Sequence, residues 1–120
     1  MEGHLGNYVR THRKKAGLSQ RELGVILGYD TAGPVSRHER SQSIPPLLIA
    51  LGYQELFRIP LGEIFAGLHE AEEANVERRI VEFENSLQQQ SARGRRATLI
   101  AHKLEWLGER RTLGSKQGLS

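Results

Sequence analysis

Apolar positions recur at helical spacing along nearly the whole chain, and the strict alternation that marks a half-buried strand is missing. The pattern predicts a first helix over residues 5–16, with Leu5, Tyr8, Val9 and Ala16 near one face and Arg13 beside them. Gly17 is placed to end it in the left-handed conformation. A second helix opens on Ser19-Gln20-Arg21-Glu22, a capping box. In that motif the serine hydroxyl accepts from the glutamate amide and the glutamate carboxylate reaches back. Leu23, Ile26 and Leu27 form its expected buried stripe, and Gly28 its end. Gly24 inside the helix costs roughly 1 kcal/mol against alanine, which predicts a neighbouring helix in close approach.

The next helix is short. Asp30 or Thr31 is its expected cap, Pro34 falls in its first turn, and only Val35 is clearly apolar, so most of it is expected to face outward. A loop over 41–46 precedes a fourth helix over 46–57, expected to bury Leu47, Leu51 and Phe57. A fifth over 61–66 buries Leu61, Ile64 and Phe65, and Gly67 reads as a break or bend. Residues 68–90 form a long charged helix in which Val76, Ile80, Phe83 and Leu87 make a narrow apolar seam. A turn around Gly94 leads to a last helix over 95–111, with Ile100, Leu104 and Leu107 on one face and Trp106 near it. The expected architecture is all-α: domain one over 1–67, a helical hairpin over 68–112 and a disordered tail over 113–120.

Composition narrows the chemistry. Cysteine is absent, which removes disulfides, thiolate zinc sites and cysteine nucleophiles. The five histidines never fall two to a helical turn, so no local histidine metal site is expected. No apolar run is long enough for a membrane span, and Met1-Glu2-Gly3-His4 does not have the layout of a signal peptide. A cytoplasmic protein is expected. The net charge of +3 divides unevenly: +3 over 1–46, −1 over 47–66, −4 over 67–90 and +5 over 91–120. Such an excess permits nucleic-acid binding without establishing it. No Ser-His-Asp set or paired carboxylate has a second supporting sign, so no catalytic residues are assigned and no enzyme is expected.

A capped helix, a brief connection and a short helix rich in hydrogen-bonding side chains form the pattern of a helix-turn-helix. One helix of that motif rests across the DNA backbone while the next enters the major groove. Gln20 and Arg21 lie at a helix start, where free amides suit a phosphate. Arg37 follows Val35 by two positions, so a buried Val35 frees Arg37 for a guanine edge. Thr31 and Ser36 are short enough to reach a base or a phosphate, Gly33 allows close backbone approach, and Arg40 suits phosphate. His38 reads as a surface histidine.

Residues 5–66 resemble the lambda-repressor-like, or XRE-type, DNA-binding domain. The residues that carry the resemblance are Arg13, Leu18-Ser19-Gln20, Leu23, Gly28, Val35-Ser36 and Glu39-Arg40, continued by Pro45, Leu47, Leu51, Ile59, Leu61 and Glu63-Ile64-Phe65. The chain departs from the family by one extra residue within 29–34, by Pro34, by Gly24 where alanine is usual, and by Ser41 and Arg58 where glycines are usual. The resemblance implies a five-helix domain in which Gln20 clamps backbone and Arg13 and Glu39 form a structural ion pair. It also implies a transcriptional regulator, expected to be a repressor that calls for no cofactor, at work on the nucleoid of a prokaryote, a phage or a mobile element.

The two C-terminal helices lie beyond the resemblance. They can form a hairpin in cis, pair with a second copy or dock another protein. One helix-turn-helix unit reads few base pairs, so a homodimer on double-stranded DNA is expected. Its candidate contacts are Val76, Ile80, Phe83, Leu87, Leu104 and Leu107. The alternative function is an antitoxin-like module that masks a protein partner through these helices and represses its own operon. Arg93, Arg95 and Arg96 can supply further phosphate contacts or simply offset the acidic residues of 70–84.

Overall fold

The computed structural model describes residues 7–117, with side chains through 113. Seven helices follow one another and no strand forms among these residues: α1 (Val9–Lys15), α2 (Gln20–Leu27), α3 (Gly33–Glu39), α4 (Leu47–Phe57), α5 (Leu61–Ile64), α6 (Ala66–Gln89) and α7 (Arg95–Gln117). The all-α expectation holds. The chain divides into two compact units, one running through Glu72 and the other starting at Glu73.

In the first unit each of the five short helices gives one fully buried side chain: Val9, Leu23, Val35, Tyr53 and Ile64. Leu27, Ile49, Leu56, Phe57, Ile59, Leu61 and Leu68 pack against them. Leu68 belongs to α6, so the first turn of the long helix is part of this core. Helix boundaries follow local chemistry. Ser19 Oγ accepts from Glu22 N at 3.0 Å and Ser19 N donates to Glu22 Oε1 at 2.9 Å, which completes the capping box. Gly17 and Gly28 stop α1 and α2 at φ +74 and +96.

Several expectations are corrected. Helix α1 starts at Val9 because Asn7 and Tyr8 are used elsewhere. Asn7 pairs with Phe65 in an antiparallel bridge, Tyr8 N donates to Ile64 O at 2.8 Å, and Asn7 Oδ1 accepts from Val9 N at 2.9 Å. Leu5 lies outside the described residues. Helix α3 has Ala32 at its N-cap with no side-chain bond to the cap, while Thr31 Oγ1 accepts from Gly33 N at 3.3 Å. The close neighbour of Gly24 is backbone, not a helix: an added Cβ would lie 2.9 Å from Thr31 O.

Ile26, Leu47 and Leu51 are exposed, the last two at 72% and 43%. The stripe of α4 that reaches the core is Ile49, Tyr53, Leu56 and Phe57. A domain this small has too little interior for every aliphatic side chain. Gly67 does not break the chain. The break falls at Phe65 (φ −113, ψ 52), and α6 absorbs the glycine in its first turn.

The second unit is a helical hairpin reversed at Gly94 (φ +63). Leu87 of α6 and Leu107 of α7 are buried. Arg110 Nη2 lies 2.5 Å from Glu77 Oε2, and Arg111 pairs with Glu84. Helix α7 continues to Gln117, into the segment expected as a tail, because extending a formed helix fixes few further dihedrals per bond gained. Residues 118–120 of that segment lie outside the described residues.

Candidate nucleic-acid interface

The interface is built around one buried carboxylate. Glu39 ends α3 and Arg13 lies in α1, and their side chains are 3% and 10% exposed. Arg13 Nε donates to Glu39 Oε2 at 2.5 Å and Arg13 Nη2 to Glu39 Oε1 at 3.2 Å. Gln20 Nε2, from the first turn of α2, donates to the same Oε1 at 3.0 Å. Arg13 Nη1 also donates to Leu18 O at 3.0 Å, which holds the segment entering α2. A charge-assisted, two-point pair of this kind fixes direction as well as distance. Helices α1, α2 and α3 are thus tied at a single group.

Behind that clasp lies a pair the sequence does not announce. His38 is 3% exposed, against the expectation of a surface side chain. It follows Val35 by one helical turn and shares its buried side. His38 Nδ1 and the Tyr53 hydroxyl are hydrogen-bonded at 2.8 Å, and Asn7 Nδ2 donates to the His38 carbonyl. The Tyr53 ring meets His38 and Phe65 edge-on, with centroids 5.8 Å away in both cases. Burial lowers the affinity of His38 for a proton, and the Arg37 guanidinium lowers it further. Burial, then the Glu39 carboxylate, hold the Tyr53 hydroxyl protonated far above the usual phenol range. The sequence signal is for Tyr53 alone: Ile49, Tyr53 and Phe57 repeat every four residues.

The predicted contact residues come from the start of α2, Gln20 and Arg21, and from α3 with its flanks, Thr31, Gly33, Ser36, Arg37 and Arg40. Thr31, Arg37, Arg40 and Arg21 are exposed, while Gly33, Ser36 and Gln20 are half-buried. The structure brings three of them together. Arg37 Nη1 lies 3.3 Å from where a Gly33 Cβ would be, and Thr31 Oγ1 3.6 Å from the same point. The guanidinium therefore lies over the bare backbone of Gly33, beside a hydroxyl. Among the described residues, Arg21, Ser36 and Arg40 make no hydrogen bond to this cluster. The Gln20 amide is held from behind by Glu39, which aims the side chain and engages one of its two N–H bonds.

The candidate dimer contacts separate. Leu87 and Leu107 are buried within the hairpin, Val76, Ile80 and Leu104 are half-buried, and Phe83 is exposed. Val81, Leu99 and Trp106 are exposed as well. Among the described residues no three His, Asp or Glu side chains gather where a metal could be held, and no helix is long and apolar enough to cross a membrane. The chain matches no protein-family model, no curated protein and no solved structure.

Proposed function

We propose that the chain is a sequence-specific, double-stranded-DNA-binding transcriptional regulator of the lambda-repressor-like helix-turn-helix type, a repressor that acts as a homodimer. The observation that carries this is the Glu39 clasp. It ties α2 to α3, while Thr31 and Arg37, both exposed, meet over the backbone of Gly33. In this function Gln20 and Arg21 hold phosphates and set the register, and Arg37 with Thr31 and Ser36 reads base edges. Occupied DNA is then closed to polymerase by the bulk of the protein.

Exposed apolar side chains are available to a second copy in both units, Ile44, Leu47 and Leu48 in the first and Val81, Phe83, Leu99 and Trp106 in the second. The exposed apolar side chains of the hairpin also favour a second reading, an antitoxin-like module with a protein partner docked on α6 or α7. A mobility-shift titration against a random duplex pool, from about 50 to 200 mM salt, tests the main proposal. Retention that falls steeply with salt is expected. No retention at the low-salt end contradicts it.

A further inference from the structure

The charges of the hairpin are segregated. Arg110 and Arg111 are paired with Glu77 and Glu84, and Arg78 Nε lies 3.9 Å from Glu82 Oε2. Arg110 and Arg111, far along α7 from the turn, thus answer the carboxylates of α6. The turn end is different. Residues 85–104 contain no Asp or Glu, yet they carry Arg93, Arg95, Arg96 and Lys103. All four are exposed. Arg96 Nη2 reaches an amide oxygen, Gln90 Oε1, at 3.4 Å, and no carboxylate bonds to Arg93 or Arg95 among the described residues. The carboxylates Glu77, Glu82 and Glu84 are thus paired with Arg110, Arg78 and Arg111 rather than with the tip arginines. The fold does not call for them either. Cations in the first turn of a helix oppose its dipole, and Arg95 and Arg96 stand there with no acidic residue beside them.

We propose that the hairpin tip is a second DNA-contacting surface, in which Arg93, Arg95 and Arg96 hold the phosphate backbone of a duplex irrespective of base sequence. This rests on the DNA-binding function above. Guanidinium forks match phosphate oxygens at two points, and all three tip cations are arginines. A row of exposed cations suits a ligand that offers a charge every ~1.7 Å rather than one shaped acidic patch. Between Gln88 and Thr98 the only apolar side chains are Ala92 and Ala97, so the tip has little to insert into a bilayer.

The test uses the full chain and the triple variant Arg93→Gln, Arg95→Gln, Arg96→Gln, with a random-sequence duplex of about 40 base pairs as probe. Affinity is read by fluorescence anisotropy across about 50 to 200 mM salt. Three phosphate contacts contribute a slope of about −2.7 in log affinity against log salt. The parent is therefore expected to lose about 40-fold more affinity over that range than the variant. Circular dichroism of the variant should match the parent, since the replaced side chains are exposed. A variant with the parent's slope overturns the tip proposal and leaves the helix-turn-helix intact. A variant that keeps its DNA slope but loses binding to phosphatidylserine vesicles overturns it in favour of a membrane surface. A parent that binds no duplex even at low salt overturns both.

Discussion

Arg13 and Glu39 meet at two points in the interior of the first unit, Nε to Oε2 at 2.5 Å and Nη2 to Oε1 at 3.2 Å. Their value to stability lies in the pairing rather than in either charge. Removing one partner leaves an uncompensated buried charge, so Glu39→Ala is expected to cost about 3–5 kcal/mol. The double variant Arg13→Met, Glu39→Leu replaces both charges with apolar volume and should cost much less. Urea unfolding of the two variants checks this. Equal losses would mean that the pair acts by packing alone.

His38 makes the first unit acid-sensitive. Burial, reinforced by Arg37, lowers its proton affinity in the folded state below that of the unfolded chain. The unfolded state then binds the proton first, so the contribution is fully present above pH 6.5 and is lost as pH falls below it. Protonation also makes Nδ1 a donor and obliges the Tyr53 hydroxyl to accept. Thermal unfolding between pH 7.5 and 5 should show the midpoint falling. In His38→Asn, which has no group titrating there, the fall should be smaller.

Two glycines should answer differently to alanine. At Gly24 the new Cβ would sit 2.9 Å from the Thr31 carbonyl oxygen, which is backbone and cannot turn aside. The clash should outweigh the roughly 1 kcal/mol gain in helix propensity and destabilise the domain. At Gly33 the neighbour at 3.3 Å is the end of the Arg37 side chain, which can move. Gly33→Ala should leave stability nearly unchanged and alter DNA affinity instead. Paired unfolding and binding measurements separate the two effects.

Ser41 and Arg58 hold left-handed conformations, at φ 58 and 57, after α3 and α4. Each is strained by about 1 kcal/mol relative to glycine, partly offset by glycine's greater freedom when unfolded. Ser41→Gly and Arg58→Gly should each stabilise by about 0.5 kcal/mol. Denaturation midpoints shifted downwards would contradict the assigned strain.

These four cases show what was legible in the sequence. Features set by neighbours along the chain were readable: the Ser19–Glu22 box and the turns at Gly17 and Gly28. The left-handed positions of Ser41 and Arg58 showed only as places where the resembled family has glycine. Features set by the fold were not. Leu47 and Leu51 read as core because they are apolar, yet Tyr53 takes the interior by lying on the same stripe as Ile49 and Phe57. His38 read as surface because nothing local reveals that Tyr53 and Asn7 satisfy it. Gly67 read as a break because glycine weakens a helix, but a first-turn position tolerates it. Within the candidate site, the meeting of Thr31 with Arg37 over Gly33 is set by the path of the chain into α3, which residue spacing does not reveal.

Arg37 and Gln20 should separate base reading from backbone contact. Arg37→Ala is expected to weaken a preferred site by about 1–3 kcal/mol and random DNA far less. Gln20→Ala should weaken both alike. Binding isotherms on the two duplexes decide, and equal losses for the two variants on both would remove the reading role of Arg37.

The most direct measurement is a binding selection by the full chain from random duplex DNA at about 150 mM salt, where counterion release suppresses non-specific affinity. Sequence-specific recognition by α3 predicts an enriched motif, with two half-sites about 10 base pairs apart if the protein binds as a dimer. A folded chain that enriches no sequence would contradict specific DNA recognition.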